Sequence, residues 1–160
     1  MYVDVIAGEP ASLTVIVDPD GAVVAAGFRE PELLAEHAQI FDPLQPRELS
    51  EIRQVWTDYL AGDLHALERV SVRQRGSVVQ QAVWKELGNI PPGQPISYSE
   101  VADRIGRPRA ARAVGSACGA NRVAPFVPCH RVVAANGSLG GYGYGLDVKT
   151  WLLRHEATVA

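Results

Sequence analysis

The most reactive residues of this chain stand side by side, as Cys129 and His130. A free cysteine has a pKa of about 8.5, so at neutral pH it is mostly thiol, and a neighbouring base is needed to produce the nucleophilic thiolate. His130 is the obvious base, acting directly or through a water. A carboxylate usually orients such a histidine, and Glu156 is one of three acidic residues after Ala102. Taken alone, the pair still favours a buried structural cysteine beside a surface histidine.

The second cysteine, Cys118, does not extend the pair into a metal site or a disulfide framework. The chain has two cysteines, no Cys-x-x-Cys pair and four scattered histidines. The sequence therefore offers no zinc site, and we expect no metal and no other cofactor. So few cysteines favour a reducing compartment, which keeps a thiol available. Cys118 falls in an alanine-rich segment and is predicted to be a packing residue.

The sequence predicts neither a membrane span nor an export signal. No apolar run approaches the roughly 20 residues of a membrane span, and Met1-Tyr2-Val3-Asp4 lacks the basic segment and apolar run of a secretory signal. The 160 residues are 47% hydrophobic and 21% charged, which is typical of a globular protein. We therefore expect a cytoplasmic protein that does not associate with a membrane.

The charges are unevenly distributed along the chain. The net charge of −3 argues against a nucleic-acid partner. Residues 1–102, however, hold seven Lys and Arg against 15 Asp and Glu, whereas residues 103–160 hold eight against three. A basic C-terminal third could meet phosphate groups on one face. A chance imbalance on a solvated surface explains the same counts equally well.

Two short helices are predicted ahead of the cysteine. The run Ser97-Tyr98-Ser99-Glu100 has the form of a capping box and begins a helix that ends at Gly106. Pro108 suits the first turn of a second helix over residues 109–117. Two short helices joined by a tight turn are typical of a helix-turn-helix, with an ordinary helical hairpin as the alternative. Small side chains in the second helix allow close approach of a packed helix or a nucleic-acid backbone. The arginines around it favour the nucleic acid; they are Arg104, Arg107, Arg109 and Arg112.

The first half of the chain carries no chemistry, and its predicted role is packing. Residues 12–17 and 22–26 indicate a β-hairpin around Asp18-Pro19-Asp20-Gly21. Helical spacing follows over residues 31–37 and 49–60. The character of the chain changes around residues 68–76, ahead of an amphipathic helix over 78–87. We therefore predict two domains, over residues 1–74 and 75–160.

Several sequence blocks stand in the order and spacing of a known family. The run Pro128-Cys129-His130-Arg131-Val132-Val133 resembles the active-site signature of the O6-alkylguanine-DNA alkyltransferases. The further matches are Ser97-Tyr98, the run Arg-Ala-Ala-Arg-Ala-Val-Gly at 109–115, Asn121, Gly140-Gly141-Tyr142-Gly143, and Lys149-x-Trp151-Leu152-Leu153-x-x-Glu156. Such blocks in one order make a chance match implausible. The resemblance covers about residues 75–157 and, more loosely, the rest.

The resemblance implies a role for each residue of the reactive site. Cys129 would attack the alkyl carbon on O6 of guanine. His130 would remove the thiol proton through a water, and Glu156 would orient His130 and stabilise its charge. Asn121 would be the hinge that ties the helix-turn-helix to the cysteine segment. Tyr98 would donate to a guanine ring nitrogen and help the purine leave.

The resemblance also implies how DNA is held. Arg112 would be the finger that fills the gap left by the extruded nucleotide, with the protein in the minor groove. The main chain of Cys129 and Val132 would read the base, while Tyr142 and Gly143 would form the other wall of the pocket. The remaining residues predicted to contact DNA or substrate are Ala110, Ala111, Ser116 and Tyr144.

The implied activity is direct DNA repair in a single turnover. The alkyl group would pass irreversibly from O6-alkylguanine, and from O4-alkylthymine, in double-stranded DNA to Cys129 after base flipping. The implied fold is α+β, with a small ribonuclease H-like domain of β-hairpin and helices, then a mainly helical, winged-helix-like domain with a helix-turn-helix. No obligate protein partner is implied, and cooperative binding along DNA is left open.

Two alternatives remain at this stage. One is a DNA-binding alkyltransferase-like protein, but such relatives lack the cysteine that this chain has. The other is an unrelated Cys-His hydrolase or helix-turn-helix regulator. A hydrolase would need an oxyanion hole, for which no motif is visible.

Overall fold

The computed structural model describes residues 1–159, which form two compact units. The first unit contains Met1–Gln74 together with Arg122–Phe126, and the second contains Arg75–Asn121 and residues 127–159. The chain passes from the first unit to the second after Gln74. Arg122–Phe126, however, belongs to the first unit rather than the second. It is held there by main-chain pairing, since the amide of Ala26 donates to the carbonyl of Arg122 at 2.8 Å.

A four-stranded sheet forms the centre of the first unit. Three of its strands are β1 (Tyr2–Ile6), β2 (Leu13–Val17) and β3 (Val23–Gly27), and β2 runs antiparallel to both β1 and β3. The predicted hairpin of β2 and β3 is confirmed. β1 is not among the predicted strands, and it carries a charged residue, Asp4, that lies buried. The structure buries Asp4 by pairing it with Arg53, whose Nε and Nη2 donate to the carboxylate at 2.6 and 2.7 Å.

The first unit also contains two α-helices. α1 (Pro31–His37) contacts β2 and β3, and the short β4 (Gln45–Pro46) then lies parallel to β1, which gives the strand order β3-β2-β1-β4. α2 (Ser50–Leu60) is followed by a 3-10 helix over Leu64–Arg69. Both α-helices lie where their spacing predicts them. The core beneath α1 consists of Val3, Ile16, Ala25, Leu34 and Ala35.

Helices dominate the second unit. α3 (Val78–Leu87) begins with a reciprocal capping box between Ser77 and Gln80. β5 (Ile96–Ser97) leads directly into α4 (Tyr98–Arg104), where the Ser97 hydroxyl accepts from the amide of Glu100 at 3.1 Å. These caps satisfy amide groups that the first turn of a helix would otherwise leave unpaired.

The second helix of the predicted helix-turn-helix begins and ends later in the chain than the sequence predicts. α5 (Ala111–Ala120) packs against α3 and α4. It begins two residues later than predicted, because Arg107 to Ala110 closes a separate turn in which the Ala110 amide donates to the Arg107 carbonyl at 2.9 Å. Pro108 therefore lies in that turn and not in the first turn of the helix. Gly106 supplies the positive φ of +74° that the bend between the helices requires.

The remaining elements bring the cysteine segment beside α4. Cys129–Arg131 forms a short 3-10 helix, and β6 (Val132–Val133) continues from it, parallel to β5. Because α4 starts at the residue after β5, this two-stranded pairing places Tyr98 near the chain that leaves Cys129. α6 (Leu146–Val159) completes the unit. Within residues 1–159, every helix is too short or too polar to cross a lipid bilayer.

Candidate active site

Cys129 opens its 3-10 helix with a side chain that is only 7% exposed. Its amide donates to the carbonyl of Val127 at 2.9 Å, which tightens the turn. Burial raises the pKa of the thiol, while a hydrogen bond with Asn121 and the charge of Lys149 oppose part of that rise. The cysteine is therefore protonated at neutral pH and needs a base at the moment of reaction.

Asn121 joins the end of α5 to the cysteine segment. It is the residue that caps α5, and its side chain is buried. Its Nδ2 donates to the Val127 carbonyl at 2.8 Å, and the same side chain is hydrogen-bonded with the Cys129 thiol. One amide group thus fixes both the turn before the cysteine and the thiol itself.

His130 and Glu156 form a buried pair behind the cysteine. The two side chains are 0% and 1% exposed, and Nε2 of His130 lies 2.9 Å from Oε2 of Glu156. Burial raises the pKa of Glu156, but the charges and hydrogen bonds of His130 and Arg131 outweigh it, so the net pKa is well below the ordinary value. The carboxylate is ionised at neutral pH, and the proton of the hydrogen bond must sit on Nε2 of His130.

The second ring nitrogen of His130 is placed to accept a proton. Burial lowers the pKa of His130, although Glu156 pulls in the opposite direction, so the ring is neutral at neutral pH. With its proton on Nε2, the neutral ring carries a lone pair on Nδ1. This atom is buried, and no group within residues 1–159 hydrogen-bonds to it. A buried acceptor left in this state suits a general base.

Arg131 is a site residue that the sequence reasoning missed. Its side chain is buried, and Nε and Nη2 donate to the two carboxylate oxygens of Glu156, each at 2.9 Å. Nη1 donates to the carbonyl of Ile90 at 3.0 Å. This bidentate geometry is the strongest form of an arginine–carboxylate pair. Arg131 therefore fixes the plane of the carboxylate that orients His130. Its position in the Pro-Cys-His-Arg run was visible, but its burial was not.

Lys149 was also missed. Its side chain is fully buried. It lies on α6 with Leu152 and Glu156, which are the other buried residues of that helix. Spacings of three and seven residues put all three on one helix face. That periodicity, applied to the signature run, is the signal that could have placed Lys149 beside Glu156.

Tyr98 is the first residue of α4 and is half-buried. Its hydroxyl lies against Gly140, where an added Cβ would come within 2.6 Å of it. The amide of Gly141 donates to the Tyr98 oxygen. Burial raises the pKa of Tyr98, and the nearby Cys118 and Cys129 act in the same direction. The phenol is therefore protonated at neutral pH, and its own hydrogen is left to donate elsewhere.

Cys118 is a free, partly buried thiol on α5. Burial and the neighbouring Cys129 raise its pKa to about 12. It stays protonated under ordinary conditions and is a poor nucleophile.

The residues predicted to contact DNA occupy other surfaces of the second unit. Arg112 and Ser116 lie one turn apart on α5, and both are exposed. Ala110 and Ala111 are half-buried at its start. The remaining predicted residues lie in the segment before α6. There the rings of Tyr142 and Tyr144 meet edge to face at 5.5 Å, both half-buried, and Gly143 between them is exposed.

The structure thus brings some of the predicted site residues together around Cys129 and places others elsewhere on the second unit. Cys129 and Asn121 form one hydrogen-bonded pair, and His130 and Glu156 form another. The two pairs adjoin because His130 follows Cys129 in the chain, and together they are called the buried network here. The carbonyl of Val132 is bound to Lys149 beside it. Arg112 and Ser116 take no part in that network. The network offers a nucleophilic sulfur, a base for its proton and, with Tyr98, a phenol for the leaving group. This set suits transfer of an electrophilic carbon to sulfur.

Comparison with known proteins points the same way. Residues 78–158 match the family described as 6-O-methylguanine DNA methyltransferase, DNA binding domain. The methylated-DNA–protein-cysteine methyltransferase of Mycolicibacterium paratuberculosis is 42% identical over 146 residues, which cover 86% of this chain and 87% of that protein. The protein of the same name from Salmonella typhimurium is 48% identical over 99 residues. That match covers 62% of this chain and spans only 58% of the Salmonella protein's length.

Solved structures share the fold along the whole chain. The crystal structure of Mycobacterium tuberculosis OGT in complex with DNA has a TM-score of 0.83 and 35% identity, and it covers 100% of this chain and 95% of that one. The O6-methylguanine-DNA methyltransferase from Pyrococcus kodakaraensis has a TM-score of 0.72 and 26% identity, with 97% and 98% covered. The mixed α and β architecture is therefore shared with OGT. From its profile match over residues 78–158 and the extended mycobacterial match, this chain belongs to the 6-O-methylguanine DNA methyltransferase family.

Proposed function

We propose that this chain repairs O6-alkylguanine in double-stranded DNA by irreversible, single-turnover transfer of the alkyl group to Sγ of Cys129. It would act as a methylated-DNA–protein-cysteine methyltransferase, the name that its relatives carry. The observation that carries the proposal is the buried network. A cysteine that needs a base is followed directly by a neutral histidine with an unbonded Nδ1, and Glu156 holds that histidine in the basic tautomer.

The reaction uses each group of the network once. His130 Nδ1 takes the thiol proton, through a water, as the sulfur of Cys129 attacks the alkyl carbon. The new S–C bond forms while the C–O6 bond breaks, and its electron pair stays on guanine. Tyr98 donates a hydrogen bond or proton to a guanine ring nitrogen and so stabilises the departing base. Glu156 stabilises the imidazolium that His130 becomes. A positioned proton donor or acceptor typically contributes about 10²- to 10⁴-fold in rate.

Repair by one molecule should then stop. The product at Cys129 is a thioether, and sulfur bonded to an alkyl carbon is a very poor leaving group. The other thiol, Cys118, has its pKa raised to about 12 and is not followed by a histidine, so it does not act as a second acceptor. We therefore infer one alkyl group per chain.

The exposed face of α5 supports a DNA-binding role. Arg112 and Ser116 share this face, and Gly119 beside them adds no side chain, so a backbone can approach closely. We infer that α5 enters the minor groove and that Arg112 fills the space of the flipped nucleotide, because O6 is hidden within an intact duplex. The crystal structure of the Mycobacterium tuberculosis relative contains DNA, which is consistent with this inference.

Finer features of the fold are proposals of the same kind. The strand order β3-β2-β1-β4, with β4 parallel to β1 after α1, supports a ribonuclease H-like first unit. Helices α4 and α5 with the β5–β6 pair support a winged-helix-like second unit. Repair of O4-alkylthymine and a cytoplasmic location remain expectations from the sequence.

One experiment tests the central proposal. The protein is incubated with duplex DNA carrying a labelled methyl group at guanine O6 and is then weighed intact. We expect a gain of one methyl group per chain, located at Cys129, and no further gain with excess DNA. Cys129→Ala should bind the DNA without reacting. A wild-type protein that binds but keeps its mass would instead indicate damage recognition without repair. Methyl removal by Cys129→Ala would contradict the mechanism.

A second experiment tests the role of Arg112. Arg112→Ala should slow repair in duplex DNA more than it slows reaction with the free O6-methylguanine base, because only the duplex has a gap to fill. Arg154→Ala, an exposed arginine on α6, is the matched control and should change neither rate. Equal losses with both substrates in Arg112→Ala would remove the finger assignment.

A further inference from the structure

The sequence contains two lysines, Lys85 and Lys149, and Lys149 is the buried one. It is 0% exposed, whereas Lys85 on α3 is exposed. A buried ammonium group is costly unless it is paired. The acidic residue closest along the same buried helix face, Glu156, is already held by Arg131 and His130. Within residues 1–159, no carboxylate forms an ion pair with Lys149.

Two main-chain carbonyls take the place of a carboxylate. Nζ of Lys149 donates to the carbonyl of Val132 at 2.7 Å and to that of Gly141 at 3.1 Å. These are charge-assisted hydrogen bonds, which are stronger than those between neutral groups. They join two segments that are nine residues apart along the chain and that have no strand pairing with each other.

Each of these carbonyls belongs to a segment of the reactive site. Val132 directly follows the 3-10 helix that begins at Cys129, and its strand pairs with Ile96, two residues before Tyr98. Gly141 donates its amide to the Tyr98 hydroxyl. The amide that contacts Tyr98 and the carbonyl that contacts Lys149 therefore belong to the same residue, on either side of its Cα.

We propose that Lys149 is a positioning residue for alkyl transfer: its buried ammonium group holds the Val132 and Gly141 carbonyls together, and so fixes the Cys129 segment relative to the Tyr98 hydroxyl. This inference rests on the proposed function, in which Cys129 is the nucleophile and Tyr98 the proton donor. Lys149 would set the distance between these two groups. A displacement of about 1 Å at a reacting centre can cost about 10²-fold in rate.

The positive charge of Lys149 also favours the reaction, because it stabilises the thiolate of Cys129. It opposes part of the burial that raises the pKa of Cys129. The buried thiolate that forms during the reaction is thus partly compensated by a cation that is already in place. Such a fixed charge stabilises a developing anion without reorganisation.

The test compares Lys149→Met, which keeps the length of the side chain without its charge or donors, with Lys149→Arg, which keeps both. Lys85→Met is the control at the exposed lysine. The rate constant of methyl transfer is measured at saturating O6-methylguanine duplex, and the DNA affinity is measured in the Cys129→Ala background. We expect Lys149→Met to lose about tenfold or more in rate and less than about threefold in affinity. Lys149→Arg should regain part of the rate, and Lys85→Met should match the wild type.

The outcomes separate this inference from the proposed function. A wild-type protein that gains no methyl group would remove the proposed function. A wild-type protein that reacts, with a Lys149→Met variant that reacts equally fast, would overturn the positioning role alone. Equal losses of rate and affinity in Lys149→Met, with no rescue by arginine, would also overturn it, because they indicate a purely structural residue.

A measurement on the wild-type protein covers the case in which Lys149→Met does not fold. Nitrogen-15 labelling of lysine gives two side-chain signals, one for each lysine. We expect the Lys149 ammonium protons to exchange with water far more slowly than those of Lys85, and their signal to shift when Cys129 is methylated. Fast exchange, or a signal that methylation leaves unchanged, would contradict the proposal.

Discussion

Replacing Glu156 by glutamine removes one charge from the centre of the buried network and leaves the shape nearly unchanged. The carboxylate accepts three hydrogen bonds at 2.9 Å, two from Arg131 and one from His130. Glutamine can accept at one oxygen only, and its amide nitrogen would face a guanidinium donor. Glu156→Gln therefore leaves the Arg131 cation buried without its counterion.

The expected loss of stability is large for one substitution. Breaking a buried ion pair by removing one partner costs about 3–5 kcal/mol. A protein of this kind has a free energy of unfolding of about 5–15 kcal/mol. At roughly 2–4 °C per kcal/mol for a chain of this size, the midpoint of thermal unfolding should fall by about 6–20 °C.

A double-mutant cycle assigns this loss to the ion pair. The free energy of unfolding is measured by urea titration for the wild type, Glu156→Gln, Arg131→Met and the double variant. Arg131→Met removes the cation, so the double variant should be more stable than the sum of the two single losses predicts. A loss below about 1 kcal/mol for Glu156→Gln, or strict additivity of the two substitutions, would refute the view that these charges stabilise each other.

Three further outcomes follow from local features. Gly140→Ala should lower the transfer rate, because Gly140 has a φ of +71° and a Cβ there would come within 2.6 Å of the Tyr98 hydroxyl. Gly137→Ala is the control for backbone strain alone, since Gly137 has a φ of +85° and open space around it. Equal rate losses in the two variants would contradict the steric argument. Ser77→Ala should destabilise the protein by about 1 kcal/mol in urea titration, because the cap of α3 is lost; an unchanged midpoint would contradict this. Burial lowers the pKa of His130 below its ordinary value of 6.5, so the unfolded chain takes up a proton first as the pH falls. Stability should therefore decrease as the pH drops below about 6.5, and this dependence should weaken in His130→Gln; equal dependence in both proteins would contradict the buried neutral ring.

Local patterns predict much of the fold, and long-range contacts explain the exceptions. The β2–β3 hairpin, α1 and α3 lie where alternation and helical spacing place them, since each pattern reports on the burial of its own residues. β1 was missed because the burial of Asp4 depends on Arg53, 49 residues away. The start of α5 was misplaced because Pro108 suits a turn as well as a first helical turn, and the hydrogen bond between Ala110 and Arg107 decides between them.

The reactive site shows the same division. The signature run identifies Cys129 and His130 and suggests Glu156, but residue order alone does not show which nitrogen of the histidine is free. Arg131 looks like a surface cation in the sequence, and only the fold reveals that it is the buried counterion of Glu156. The sequence around Arg122–Phe126 does not predict that this segment belongs to the first unit, because its placement depends on main-chain pairing with β3.

Under the proposed function, the contrast between the two thiols lets each chain record whether it has reacted. Both cysteines are free, and burial raises the pKa of each thiol, that of Cys118 to about 12. Cys129 is followed by a histidine with an unbonded ring nitrogen and Cys118 is not, so Cys118 stays out of the reaction at neutral pH. After unfolding in denaturant, a thiol reagent should count two groups in an unused chain and one in a used chain. The average number of missing thiols per chain then records how many lesions a preparation has removed, without isotopic label and without the DNA.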